Sequence, residues 1–126
     1  MKLNTLLSIA AVVAGVFGVA FVVATGPLLS LYGIALDRAG TLVAQLFGAA
    51  LIGFAVLNWF ARNLTDREAQ RAIVLANLSS DVVGFVMILI GQLAGVANAL
   101  GWSSVAIYLL LALGFAYFQF MKREAA

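Results

Sequence analysis

Residues 72–98, AIVLANLSSDVVGFVMILIGQLAGVAN, are the stretch on which the fold turns. They are apolar enough to be a helix in lipid, yet NLSSD at 77–81 sets an amide, two hydroxyls and a carboxyl among the aliphatic side chains. Two placements satisfy the pattern. In the first, a membrane span begins just after Arg71, and Asp81 lies roughly 15 Å along it, near the midplane of a core about 30 Å thick. In the second, the span is Val82 to Leu100. Residues 66–80 then emerge as a helix at the membrane surface, and Asp81 sits at the headgroups as a local cap. Roughly 40 Å of helix is longer than the hydrocarbon core, so either boundary fits. AIVLA favours immersion; NLSSD favours exposure.

The placement decides the chemistry. An immersed carboxyl is costly and is a functional candidate by default. Asn77 at i−4 and Gly84 at i+3 share the face of Asp81, Ser80 adjoins it, and Gly91, Gln92 and Gly95 roughly continue a polar or small surface. Asp81, Asn77 and Ser80 thus form a candidate proton or cation site. At the rim, the same residues are structural.

Three further runs reach the roughly 20 residues that a crossing needs: 6–24, 42–60 and 103–121. The first resembles a secretory leader, with a basic start and small residues at its end. Its apolar run continues through FVVATG at 21–26, so it reads as a span. Backbone groups in lipid must be satisfied within the segment, which selects helices. The expected fold is therefore all-α, a single domain forming an integral membrane four-helix antiparallel bundle. Composition agrees: 65% of the 126 residues are hydrophobic and 10% charged, against about 25% charged in soluble domains.

The charges orient the bundle. Lys2, Arg62, Arg67, Arg71, Lys122 and Arg123 fall on one side and Arg38 on the other. By the positive-inside rule both termini are expected in the cytoplasm. Trp59 and Trp102 fall at opposite edges, as interfacial anchors do. Residues 26–40, GPLLSLYGIALDRAG, are too apolar for a solvated loop and read as a short periplasmic-side interfacial helix after the first span, ending at Gly40. Thr65 and Glu68 have the spacing of a capping box for the third helix. NALGWSS at 98–104 reads as a tight turn, with Gly101 stopping one helix and Ser103 capping the next.

Other patterns bear on packing. GFAVLNWFAR at 53–62 aligns with GFAYFQFMKR at 114–123, placing Asn58 opposite Gln119. Either two helical hairpins arose by duplication, or apolar helices with aromatic and basic ends have converged. Ser104, Tyr108, Ala112, Phe115 and Gln119 form one stripe on the fourth helix. Tyr108 and Gln119, with Gln92 on the third helix, are candidate pocket-lining residues; the competing reading of the stripe is packing. Ala14-x-x-x-Gly18 and Ala44-x-x-x-Gly48 are spacings that let helix backbones approach closely.

The run AQLFGAALIGFAVLNWFAR at 44–62 resembles a pattern seen in small bacterial four-span membrane proteins of unknown function. The layout of spans and turns is similar over most of the chain. The resemblance implies a fold and a place in a bacterial inner membrane but no activity, and no functional residue is carried over from it.

The side-chain inventory restricts function. The chain has no Cys and no His. Disulfides, thiol redox chemistry, His-ligated haem and the usual zinc sites are thereby excluded, and so are Ser-His-Asp and Cys-His triads. No metal or other cofactor is expected, although a pigment, quinone or lipid in a greasy groove would leave no mark on the sequence. Net charge is +2 with scattered basic residues, so nucleic acid is not an expected partner. Membrane lipids are, and a second copy or another membrane protein is left open. The expected function is a non-catalytic accessory or scaffold subunit. The alternative is a small oligomeric transporter or ion pathway using Asp81. A water-filled cavity reaching Asp81 favours transport, and a dry bundle with Asp81 at its rim favours the accessory role.

Overall fold

The computed structural model describes residues 1–121; Lys122 and Arg123, counted above among the orienting charges, lie outside them. Five helices follow one another: α1 (Leu3–Val23), α2 (Thr25–Leu31), α3 (Arg38–Ala61), α4 (Arg67–Leu93) and α5 (Gly101–Phe120). There is no strand among the described residues. Helices α1, α3, α4 and α5 are each long and apolar enough to cross a bilayer. The protein is a multi-pass, all-α membrane protein with a short helix after its first span.

Helix ends follow local chemistry. The hydroxyl of Thr25 donates to the carbonyl of Phe21 where α1 gives way to α2. Pro27 sits in the first turn of α2, where its missing N–H is no loss. The connection after α1 is shorter in helix than its composition suggests. Gly33, at φ 74°, stops α2 soon after Leu31, and Gly40 belongs to the first turn of α3 instead. Asp37 starts α3, its Oδ1 accepting from the backbone of Gly40 at 2.7 Å.

Three further expectations are corrected. Helix α4 is capped by Asp66, whose Oδ2 accepts from the backbone of Ala69 at 3.1 Å, rather than by a Thr65–Glu68 box. It ends at Leu93, beyond which Gly95 takes φ 78°; Gly101 opens α5 rather than stopping its predecessor. Ser103 is not a cap, and its hydroxyl donates back to the carbonyl of Leu100 at 2.6 Å. Asp66→Ala is expected to lower stability by about 1 kcal/mol, whereas Thr65→Ala is expected to be near neutral. Unfolding midpoints of the detergent-solubilised variants in sodium dodecyl sulfate check both.

The long helices pair as two antiparallel hairpins, α1 with α3 and α4 with α5. In the first, the backbones meet at Gly18 and Gly48. A Cβ on Gly48 would lie 2.8 Å from the carbonyl oxygen of Gly18, so the crossing is closed to any side chain. Phe21 and Phe47 meet edge to face at 5.2 Å near one end of this hairpin. The hairpins join where α1 and α4 begin and α3 and α5 finish. There Leu6, Leu7, Ala10, Ala61, Val74 and Phe115 make a buried cluster. Lys2, Arg62, Arg67 and Arg71 surround this basic end, and the Arg62 guanidinium stacks 3.8 Å over the ring of Trp59. Away from it the hairpins diverge.

Candidate functional site

The divergence leaves a cavity of about 540 Å³ between the hairpins. Phe17 and Ala14 of α1, Leu51 and Phe54 of α3, and Ile107 and Leu111 of α5 belong to its apolar wall. Phe47 and Ala50 of α3 and Ser80 and Met87 of α4 also line it, and all four are exposed. The cavity therefore opens sideways, between α3 and α4, toward whatever surrounds the bundle.

Its floor toward the basic end is polar. The side-chain amides of Asn58 and Asn77 exchange two hydrogen bonds, at 2.8 and 2.7 Å, and Asn77 Nδ2 also donates to the carbonyl of Ile73 at 2.9 Å. Both residues are buried, at 1% and 5% exposure. This pair fastens α3 to α4, so it is the polar link between the hairpins on the open side. One turn further along α4, Asp81 lines the cavity at 8% exposure. Its Oδ2 has no hydrogen-bond partner among the described residues. Asp81 lies near the middle of α4, a single helix that ends at Leu93, short of Leu100.

The walls around Asp81 are fitted to one another. The ring of Tyr108 lies in the space left by Gly84, where a Cβ would be 2.3 Å from the ring carbon Cε1. Tyr108 and Ser104 line the cavity, whereas Ala112, Phe115 and Gln119 of the same stripe are buried and do not line it. Gln92 also lies outside it. It is buried near the end of α4, and its Nε2 donates to the carbonyl of Asn98 at 2.9 Å, tying down the α4–α5 connection. The candidate residues thus separate: Asp81, Asn77, Ser80 and Tyr108 share the cavity, while Gln92 and Gln119 do not.

The end opposite the floor is roofed by α2 and the turn that follows it. The backbone of Asn98 donates to the carbonyl of Tyr32 at 2.8 Å, and its side-chain Nδ2 donates to that of Leu31 at 3.0 Å. The hydroxyls of Tyr32 and Ser104 lie 3.4 Å apart beneath this latch. Sequence reasoning missed both Tyr32 as a cavity residue and Asn58 as the partner of Asn77. The signal for Asn58 is its place as an amide one turn from the end of an apolar helix, opposite the start of the next.

Among the described residues no group of three or more acidic side chains could hold a metal ion. A family model described as "Domain of unknown function (DUF8292)" matches residues 1–122. Neither the curated proteins nor the solved structures contain a match to the chain.

Proposed function

The chain belongs to that family of unknown function, and we propose that it is a non-catalytic accessory membrane protein which holds a lipid-soluble molecule between its two hairpins. The observation that carries this reading is the apolar cavity with its sideways opening between α3 and α4. Concave, mostly apolar sites with a few convergent polar groups are where small molecules bind, and 540 Å³ is a size that fits one. A sideways mouth lets a molecule dissolved in the bilayer enter without passing through water. The residues around the cavity offer one carboxyl, two amides and hydroxyls, with no second acid or activated nucleophile, which supports binding over catalysis. The basic end is assigned to the cytoplasm by the positive-inside rule, and the bacterial inner membrane is taken from the resemblance to small bacterial four-span proteins. Lipid surrounds the bundle, and a second copy or a larger assembly would receive the bound molecule.

The test is purification in native lipid discs, followed by mass spectrometry of small molecules that travel with the protein. Wild type is expected to carry a stoichiometric apolar compound. Ala50→Trp puts an indole into the opening and is expected to reduce that occupancy at least tenfold while leaving helix content unchanged. Equal small-molecule content in the two proteins would overturn the reading.

A transport role has one observation in its favour: the cavity reaches Asp81, which sits deep in the bundle with an unpartnered oxygen. Against through-passage, the Leu6–Phe115 cluster and the Asn58–Asn77 pair close the basic end. Proton-coupled flux in reconstituted vesicles, abolished by Asp81→Asn, would establish transport in place of binding alone.

A further inference from the structure

We infer that the molecule held between the hairpins is a lipophilic amine, an apolar body bearing one basic nitrogen that pairs with the carboxyl of Asp81. The inference rests on the binding function proposed above and names its ligand class. It starts from an unmet hydrogen bond. Asp81 is 8% exposed and its Oδ2 has no partner among the described residues. A buried carboxyl left so is unfavourable, and a donor or proton acceptor beside it relieves the penalty. The neighbouring amides do not supply that partner: Asn77 directs its Nδ2 to Asn58 and to the carbonyl of Ile73, and Asn58 donates to Asn77.

The rest of the lining narrows the partner. No Lys or Arg lines the cavity, so a fatty-acid carboxylate or a phosphate headgroup would meet a carboxyl and no counter-charge. A metal cation fits no better, since calcium wants about six to eight oxygen ligands and no cluster of acidic side chains is present among the described residues. An amine suits Asp81 in either state. An ionised carboxylate accepts from N⁺–H, and a protonated carboxyl donates its O–H to the free nitrogen; the same proton lies between the same two atoms. Such charge-assisted hydrogen bonds are roughly twice as strong as neutral ones. Phe17, Phe54 and Tyr108 place aromatic rings in the walls, surroundings that favour an organic ammonium over a hydrated ion. The remaining aliphatic wall takes the apolar body.

The test uses 1-naphthylmethylamine and its neutral near-isostere 1-naphthylmethanol, titrated calorimetrically against the full chain in an uncharged detergent. Wild type is expected to bind the amine roughly tenfold more tightly than the alcohol, the scale of one charge-assisted hydrogen bond. Asp81→Asn should bring the two affinities within about twofold by lowering that of the amine alone, and Asp81→Glu should retain the preference. Equal binding of amine and alcohol by wild type would overturn the ligand class while leaving the binding function intact, and so would a preference that survives in Asp81→Asn. Failure of wild type to bind either probe, with Ala50→Trp indistinguishable from it, would overturn both. Thermal unfolding of each variant confirms that the comparison is made between folded proteins.

Discussion

Gly48→Leu is expected to prevent α1 and α3 from closing against each other. The Cβ that any substitution adds would lie 2.8 Å from the carbonyl oxygen of Gly18, 2.8 Å from Cβ of Phe21 and 3.0 Å from Cγ2 of Val22. A side chain could rotate away, but a helix carbonyl cannot, so the helices must separate. Overpacking of this kind costs about 1–3 kcal/mol and occasionally more. In lipid no hydrophobic force draws the helices together again, because close packing is itself what holds them.

The chain contains no cysteine, which gives a clean readout. A Cβ at Gly15 lies 3.5 Å from that of Ala55, within the roughly 3.5–4.5 Å at which disulfides form. The double substitution Gly15→Cys and Ala55→Cys should therefore cross-link on mild oxidation. Gly48→Leu in that background should abolish the cross-link. Gly53→Leu, on the same helix but with nothing within 4 Å of its added Cβ, should leave it intact. Cross-linking unaffected by Gly48→Leu would show that the close crossing does not hold the hairpin.

The second large effect is expected at the amide pair. Asn77→Leu leaves Asn58, at 1% exposure, with its side-chain partner removed. Stranding a buried polar group costs about 1–3 kcal/mol, whereas a hydrogen bond between membrane helices contributes on average only about 0.6 kcal/mol. The stranding term is the larger, and it dictates the pattern across variants. Asn77→Leu and Asn58→Leu should each be clearly destabilising. The double variant should be more stable than either, since leucines at both positions leave nothing unsatisfied. Unfolding in sodium dodecyl sulfate measures all three, and a double variant whose loss equals the sum of the singles would contradict this account. Because the hairpins diverge beyond this pair, the single variants should also widen the α3–α4 mouth.

The crossings were legible because length and hydropathy alone define them, and lipid leaves the backbone no alternative to a helix. Their ends were less legible where apolar and turn-forming residues mix. Val96 and Ala97 belong to a turn that composition does not separate from a span, so the break belongs to Gly95 and not Gly101. In the same way Ile34 and Leu36 disguise an irregular link between α2 and α3 as helix. The shared face of Asn77, Asp81 and Gly84 followed from helical spacing. The cavity did not, because it is a gap between elements distant in the chain, and no local pattern encodes where two hairpins part. Gln119 shares a helical face with Tyr108, but the face passes from cavity to core along its length, and periodicity is blind to that change.

The clasp of Asn98 on the carbonyl of Leu31 spans 67 positions of chain. During synthesis the first hairpin leaves the ribosome, with the segment that will become the lid, long before the clasp exists. The walls of α4 and α5 and the fastening of the roof come only once those later helices have been made. A nascent chain arrested before that point would present Asn58, still without Asn77, to the surrounding acyl chains, an unfinished state open to membrane-protein surveillance.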